Sequence, residues 1–135
     1  MSRDLPNSKD TELLQRARRV VPNGVWGHMA TRGIGPGYPQ FFSRSEGCRV
    51  WDADGNEYID FMCAWGPNLL GYKHPEVDDA ALKQMQRADI GNGPTEVMVE
   101  LAELLVDTID HADWVLFQKN GTDATTACVS IARAS

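Results

Sequence analysis

Asn120-Gly121-Thr122 is the triplet in this chain whose residue types and spacing best suit chemistry. It follows the short apolar run at Trp114 to Phe117 and precedes small residues at helical spacing, so it should sit where a helix begins. The first backbone N–H groups of a helix have no carbonyl partner within it, and the helix dipole favours an anion in front of them. Gly121 lets backbone approach a ligand closely, Thr122 adds a hydroxyl donor and Asn120 an amide donor. Together they suit a phosphate. The competing reading is an ordinary turn with Thr122 as helix cap, because the triplet is neither the G-x-G-x-x-G nor the G-x-x-x-x-G-K-[ST] loop. The charge of Asp123 would oppose a polyphosphate, so a monophosphate fits better than a nucleotide.

Composition narrows what that anion could belong to. The chain has 135 residues, 42% of them hydrophobic and 24% charged, the balance of a soluble globular domain or part of one. A formal net charge of -6 and no basic patch with interleaved aromatic residues argue against a nucleic-acid partner. Arg16, Arg18 and Arg19 read as the solvated face of a helix. No apolar run suits a membrane span and the first ten residues lack a signal-peptide core, so a cytoplasmic location is expected. Cys48, Cys63 and Cys128 have neither disulfide-framework nor zinc spacing and are expected as small buried hydrophobes. His28, His74 and His111 are scattered, and no metal site is expected.

The elements that must position the triplet are legible from periodicity. Leu13, Leu14, Ala17, Val20 and Val21 recur at helical spacing, with Asp10 or Thr11 as cap and Pro22-Asn23-Gly24 as terminator. The glycine- and proline-rich stretch from Val25 to Gln40 reads as an extended loop. "FFSRS", "CRVWD" and "EYIDF" then predict a three-stranded antiparallel meander, with Asp54-Gly55 as a hairpin turn. After an irregular connection, a helix should start at Pro75 and another near Thr95, the latter with Val97, Leu101, Leu104 and Leu105 on one side. "ADWVLFQ" is expected as a buried strand feeding the Asn120 turn, and Ala124, Ala127, Cys128, Ile131 and Ala132 as the packing face of the last helix. Helix, strand, glycine turn and helix in that order open an α/β layered domain.

Taken together, "VWDADGNEYIDFMCAWGPNLLGYKHPEV", "GNGPTEVMVELAELL" and "NGTDA" resemble the N-terminal portion of class III aminotransferases that use pyridoxal 5′-phosphate. Within that class the chain most resembles the glutamate-1-semialdehyde 2,1-aminomutase branch. The resemblance runs from about Leu13 to the last residue and covers roughly the first third of such an enzyme. It implies an α/β fold, the N-terminal part of a fold-type I transferase. Residues 1–72 would give the helix, loop and meander of a small-domain part, and 73–135 the incomplete start of the large cofactor-binding domain.

The resemblance also implies roles. Asn120, Gly121 and Thr122 match the turn that binds the cofactor phosphate, with Asn120 in place of the usual serine. Trp65, in Trp65-Gly66-Pro67, matches a segment that places an aromatic ring on the substrate side of the cofactor; a core tryptophan in a tight turn is the alternative. Ala30 stands where the aminomutases carry the arginine that binds the substrate carboxylate, and Arg32, two residues on, would serve only if the loop shifts. The resemblance therefore implies an aminotransferase moving an amino group between a small amino compound and an oxo acid or aldehyde, ahead of an aminomutase. The Schiff-base lysine and the acid facing the pyridine nitrogen would lie beyond residue 135, since none of Lys9, Lys73, Lys83 and Lys119 aligns with that lysine. A homodimer is implied for the full-length enzyme. A truncated, non-catalytic chain and an unrelated phosphate-binding α/β module are the further alternatives.

Overall fold

A computed structural model of the chain describes residues 8–26, 37–88 and 91–134. The chain divides into two compact units, Met1–Lys83 and Gln84–Ser135. The first is organised by carboxylates. Helix α1 spans Lys9–Ala17, and its cap is Ser8, whose Oγ accepts from the Thr11 N–H at 3.1 Å. The expected caps, Asp10 and Thr11, lie inside the helix because the extended backbone of Ser8 already aims a short hydroxyl at the first turn. Asp10 turns outward instead, and its Oδ1 accepts from the Gln40 and Phe41 N–H groups, each at 2.8 Å. In return Asp54 accepts from the Lys9 and Asp10 N–H groups at 2.7 and 3.3 Å. The helix start and the meander thus cap each other.

Helix α1 ends before Val20 and Val21, which were expected on its apolar side; Val20 is 82% exposed. The terminator works as expected, since a short turn at Pro22–Gly24 folds back on the helix with Gly24 at φ +73°. A Cβ there would stand 3.0 Å from Leu14 Cδ1, so the close approach requires glycine. Arg16, Arg18 and Arg19 are exposed, as a solvated face should be.

The meander forms as predicted: β1 (Phe42–Glu46), β2 (Arg49–Asp52) and β3 (Glu57–Ile59) lie antiparallel in the order β1-β2-β3. A bulge at Ser43 shifts the β1–β2 register between Phe42↔Asp52 and Arg44↔Trp51, and the Ser43 hydroxyl donates to the Asp52 carbonyl at 2.7 Å. The β2–β3 loop is built around Asp52, 3% exposed. Its Oδ1 accepts from the Asp54 and Asn56 N–H groups, and its Oδ2 from the Asn56 amide and the Tyr58 hydroxyl at 2.8 Å. Burial pushes the Asp52 carboxyl up, but these hydrogen bonds from Asn56, Tyr58 and Asp54 outweigh it and hold the group below its ordinary value. In this loop only Gly55, at φ +86°, takes the left-handed conformation.

Helix α2 runs from Pro75 to Arg87, with proline at the first position, where an N–H would have no partner within the helix. In the second unit, α3 spans Glu96–Thr108 and α4 Gly121–Ala134. Thr95 takes the cap position of α3 but makes no side-chain cap bond. The strand expected at "ADWVLFQ" is absent among the described residues. A buried strand needs neighbours to accept its backbone bonds, and Trp114 and Leu116 are 63% and 52% exposed. The cysteines are also not the buried hydrophobes expected: Cys48 and Cys128 are exposed and Cys63 is half-buried. The reason is common to both, since no hydrophobic side chain among the described residues is fully covered.

Candidate functional site

The Asn120 turn is a relaxed helix start. Asn120, not Thr122, is the cap: its Oδ1 accepts from the Asp123 N–H at 3.0 Å and its carbonyl from the Ala124 N–H at 3.0 Å. Gly121 is the first helical residue and is not in the left-handed region. A Cβ on Gly121 would meet nothing within 4 Å, so the glycine leaves open space above the turn. With Asp123 satisfied, the N–H groups of Gly121 and Thr122, the Thr122 hydroxyl and the Asn120 Nδ2 have no partner among the described residues. Four donors therefore stand at one helix end, which is the donor set a phosphate monoester takes. The Thr122 carbonyl is engaged separately, by the hydroxyls of Thr125 and Thr126 at 2.9 Å.

The Trp65 segment is built quite differently. Cys63, Ala64 and Trp65 have φ of +49°, +50° and +61°, one turn of left-handed helix made entirely of residues with side chains. Each such residue costs roughly 1–2 kcal/mol, so the conformation persists only where its surroundings impose it. Local bonds close the turn, from the Trp65 N–H to the Met62 carbonyl and from the Gly66 N–H to that of Cys63, both 2.9 Å. Asp60 links the turn to residues further along the chain. Its Oδ1 accepts from the Met62 and Cys63 N–H groups at 2.7 and 3.3 Å, and its Oδ2 from the Tyr72 hydroxyl at 2.8 Å.

Tyr72 is itself tied to the meander by two backbone bonds with Gly47, at 2.9 and 2.8 Å. Gly71 sits so close that a Cβ would fall 2.9 Å from the Gly47 carbonyl oxygen. The Tyr72 hydroxyl, with the Met62 and Cys63 N–H groups, holds the Asp60 carboxyl below its usual value against a smaller push from burial. Asp60 in turn raises the phenol of Tyr72. Trp65 is 62% exposed, so it is no core tryptophan of the described residues, although it does occupy a tight turn. Arg32 and Ala30 lie outside the described residues. Asp60 and Tyr72 carry no signal in the sequence, because their spacing of twelve residues follows no helical or strand period. Among the described residues no cluster of three or more histidine, cysteine or acidic side chains could hold a metal.

Residues 34–135 match the family model described as Aminotransferase class-III. The chain is 50% identical over 127 residues to the aminopentol aminotransferase of Sphingopyxis macrogoltabida, covering 94% of this chain and 30% of that protein. It is 44% identical over 120 residues to a glutamate-1-semialdehyde 2,1-aminomutase of Chloroflexus aurantiacus, covering 88% of this chain and 27% of that one. The solved structure of the FumI protein of Sphingopyxis sp. MTA144, in its PLP internal aldimine form, superposes with a TM-score of 0.91 at 50% identity, over 95% of this chain and 31% of that one. The chain belongs to the class III aminotransferase family. Its fold is a portion of the fold-type I architecture expected from the sequence. It spans about 30% of the length of the curated relatives it matches.

Proposed function

We propose that this chain forms the phosphate-binding and substrate-side portion of a pyridoxal-phosphate-dependent aminotransferase acting on a small amino compound and an oxo acid or aldehyde. The observation that carries the reading is the set of four donors at Asn120, Gly121 and Thr122, which a phosphate monoester would complete. Those residues would hold the phosphate, and Trp65 would wall the substrate side and exclude water from it. The cofactor, when bound, supplies an electron sink. Residues 1–72 would belong to the small domain and 73–135 to the start of the large one. Arg32 would receive a substrate carboxylate only with a shifted loop. Identity of 50% to an aminotransferase, against 44% to an aminomutase, favours amino-group transfer between two molecules over rearrangement within one. We place the enzyme in the cytoplasm as a homodimer. Apolar side chains as exposed as Phe61 at 90% and Leu69 at 85% give a partner or the rest of the fold something to cover.

The test is cofactor affinity, by absorbance titration of the full-length protein with pyridoxal 5′-phosphate. Thr122→Val removes a hydroxyl bond to a charged group, worth about 1.5–3 kcal/mol, and should weaken binding roughly 10- to 150-fold. Thr126→Val, whose hydroxyl donates to the Thr122 carbonyl at 2.9 Å within the helix, should leave it unchanged. Equal, small effects of the two substitutions would reduce the turn to a helix cap.

A further inference from the structure

We propose that Asp60 is a positioning residue that holds the left-handed turn at Cys63–Trp65 and thereby fixes the direction in which Trp65 faces the substrate. The inference rests on the reading of Trp65 as the substrate-side wall. Three consecutive residues with side chains in the left-handed region will not stay there unaided. The bonds that close the turn on itself fix its tightness. Asp60 ties that turn to the meander. It follows directly on β3, and its own N–H is bonded to the Cys48 carbonyl at 2.8 Å, so its backbone belongs to the sheet. One carboxylate oxygen reaches forward to the Met62 and Cys63 N–H groups, where the chain enters the turn. The other takes the Tyr72 hydroxyl, where the chain has left it and is paired with Gly47. A single side chain thus ties entry and exit to the same sheet, with Trp65 carried between them.

The experiment uses the full-length protein labelled with 5-fluorotryptophan, the Trp65 resonance being assigned by its loss in Trp65→Phe. Asp60→Ala should move and narrow the Trp65 fluorine resonance toward that of the free amino acid and leave Trp51, in β2, in place. Asp60→Asn should preserve the wild-type position, because its carbonyl still accepts from Met62 and Cys63 while its amide donates to the Tyr72 oxygen. Tyr72→Phe, a milder change that keeps the fold if Asp60→Ala loses it, should shift the resonance part of the way. The proposal is overturned if Tyr72→Phe and Asp60→Ala leave Trp65 unmoved, or if Trp51 moves equally, which would mark general loosening of the sheet. Adding pyridoxal 5′-phosphate separates the two readings. A Trp65 resonance that depends on Asp60 but ignores saturating cofactor supports the positioning and removes Trp65 from the site.

Discussion

The turn at Asn120 and the turn at Cys63 are both short, yet they are held by opposite means. The first is relaxed, capped by a residue inside it, and keeps its donors unspent. The second is strained, and its stability comes from Asp60, Tyr72 and Gly47, three to sixteen residues away. A turn that needs only the start of one helix can be encoded locally. A turn of three left-handed residues cannot, because no local preference of Cys-Ala-Trp leads there.

The comparison breaks first at Gly71. Gly71→Ala would set a Cβ 2.9 Å from the Gly47 carbonyl oxygen at φ +87° and pry apart the Gly47–Tyr72 pair. We expect a loss of about 2–3 kcal/mol from the unit that carries the meander, read as a lower urea midpoint, with the Asn120 turn unaffected. A midpoint unchanged in Gly71→Ala would mean that the strained turn is not supported from the sheet.

Next in size is the cap of α4. Asn120→Ala removes the acceptor for the Asp123 N–H and should cost about 1 kcal/mol of stability while also weakening cofactor binding. Asn120→Asp divides the two roles: it caps as well as asparagine, so stability should hold, but it places a negative charge against the phosphate, so affinity should fall. If both properties move together in Asn120→Asp, the relaxed turn is not a separable cradle.

The smallest expected effect is of acid on the strained turn, because Asp60 is half-exposed and solvent screens it. Its carboxyl is held below the ordinary value, chiefly by the Tyr72 hydroxyl. Its contribution is therefore fully present above the ordinary carboxylate pKa and is lost as pH falls through the lower, folded one. Thermal melts followed by tryptophan emission should show a slope with pH in the acid range that flattens in Asp60→Asn. An unchanged slope in that variant would assign the acid sensitivity to another carboxylate, with Asp52 the first to try.

These differences also explain what the sequence could reveal. Helical period and end signals found α1, α2, α3 and α4, and Asp54-Gly55 found the hairpin, because each is a local preference. The cap of α1 is not legible in the same way, because the string Ser-Lys-Asp-Thr offers three short oxygen-bearing side chains within four residues, and only the backbone path selects Ser8 among them. The strand expected at "ADWVLFQ" was read from its apolar run, but strand structure also requires a partner, which that stretch lacks among the described residues. In the candidate site, the helix start at Asn120-Gly121-Thr122 is legible from three adjacent residues. The Asp60–Tyr72–Gly47 support was not, being a set of contacts between residues separated by twelve or more positions.

The left-handed turn at Cys63–Trp65 runs against the chirality of the residues that form it. An L-residue at φ +50° suffers a clash that its mirror image would not, so Ala64 sits at a position suited to a D-amino acid. In a protein assembled by chemical ligation, D-alanine at 64 should raise the melting temperature while L-valine lowers it, and achiral glycine should fall between D-alanine and the natural residue. The polypeptide here follows, for three residues, a path that its own handedness resists.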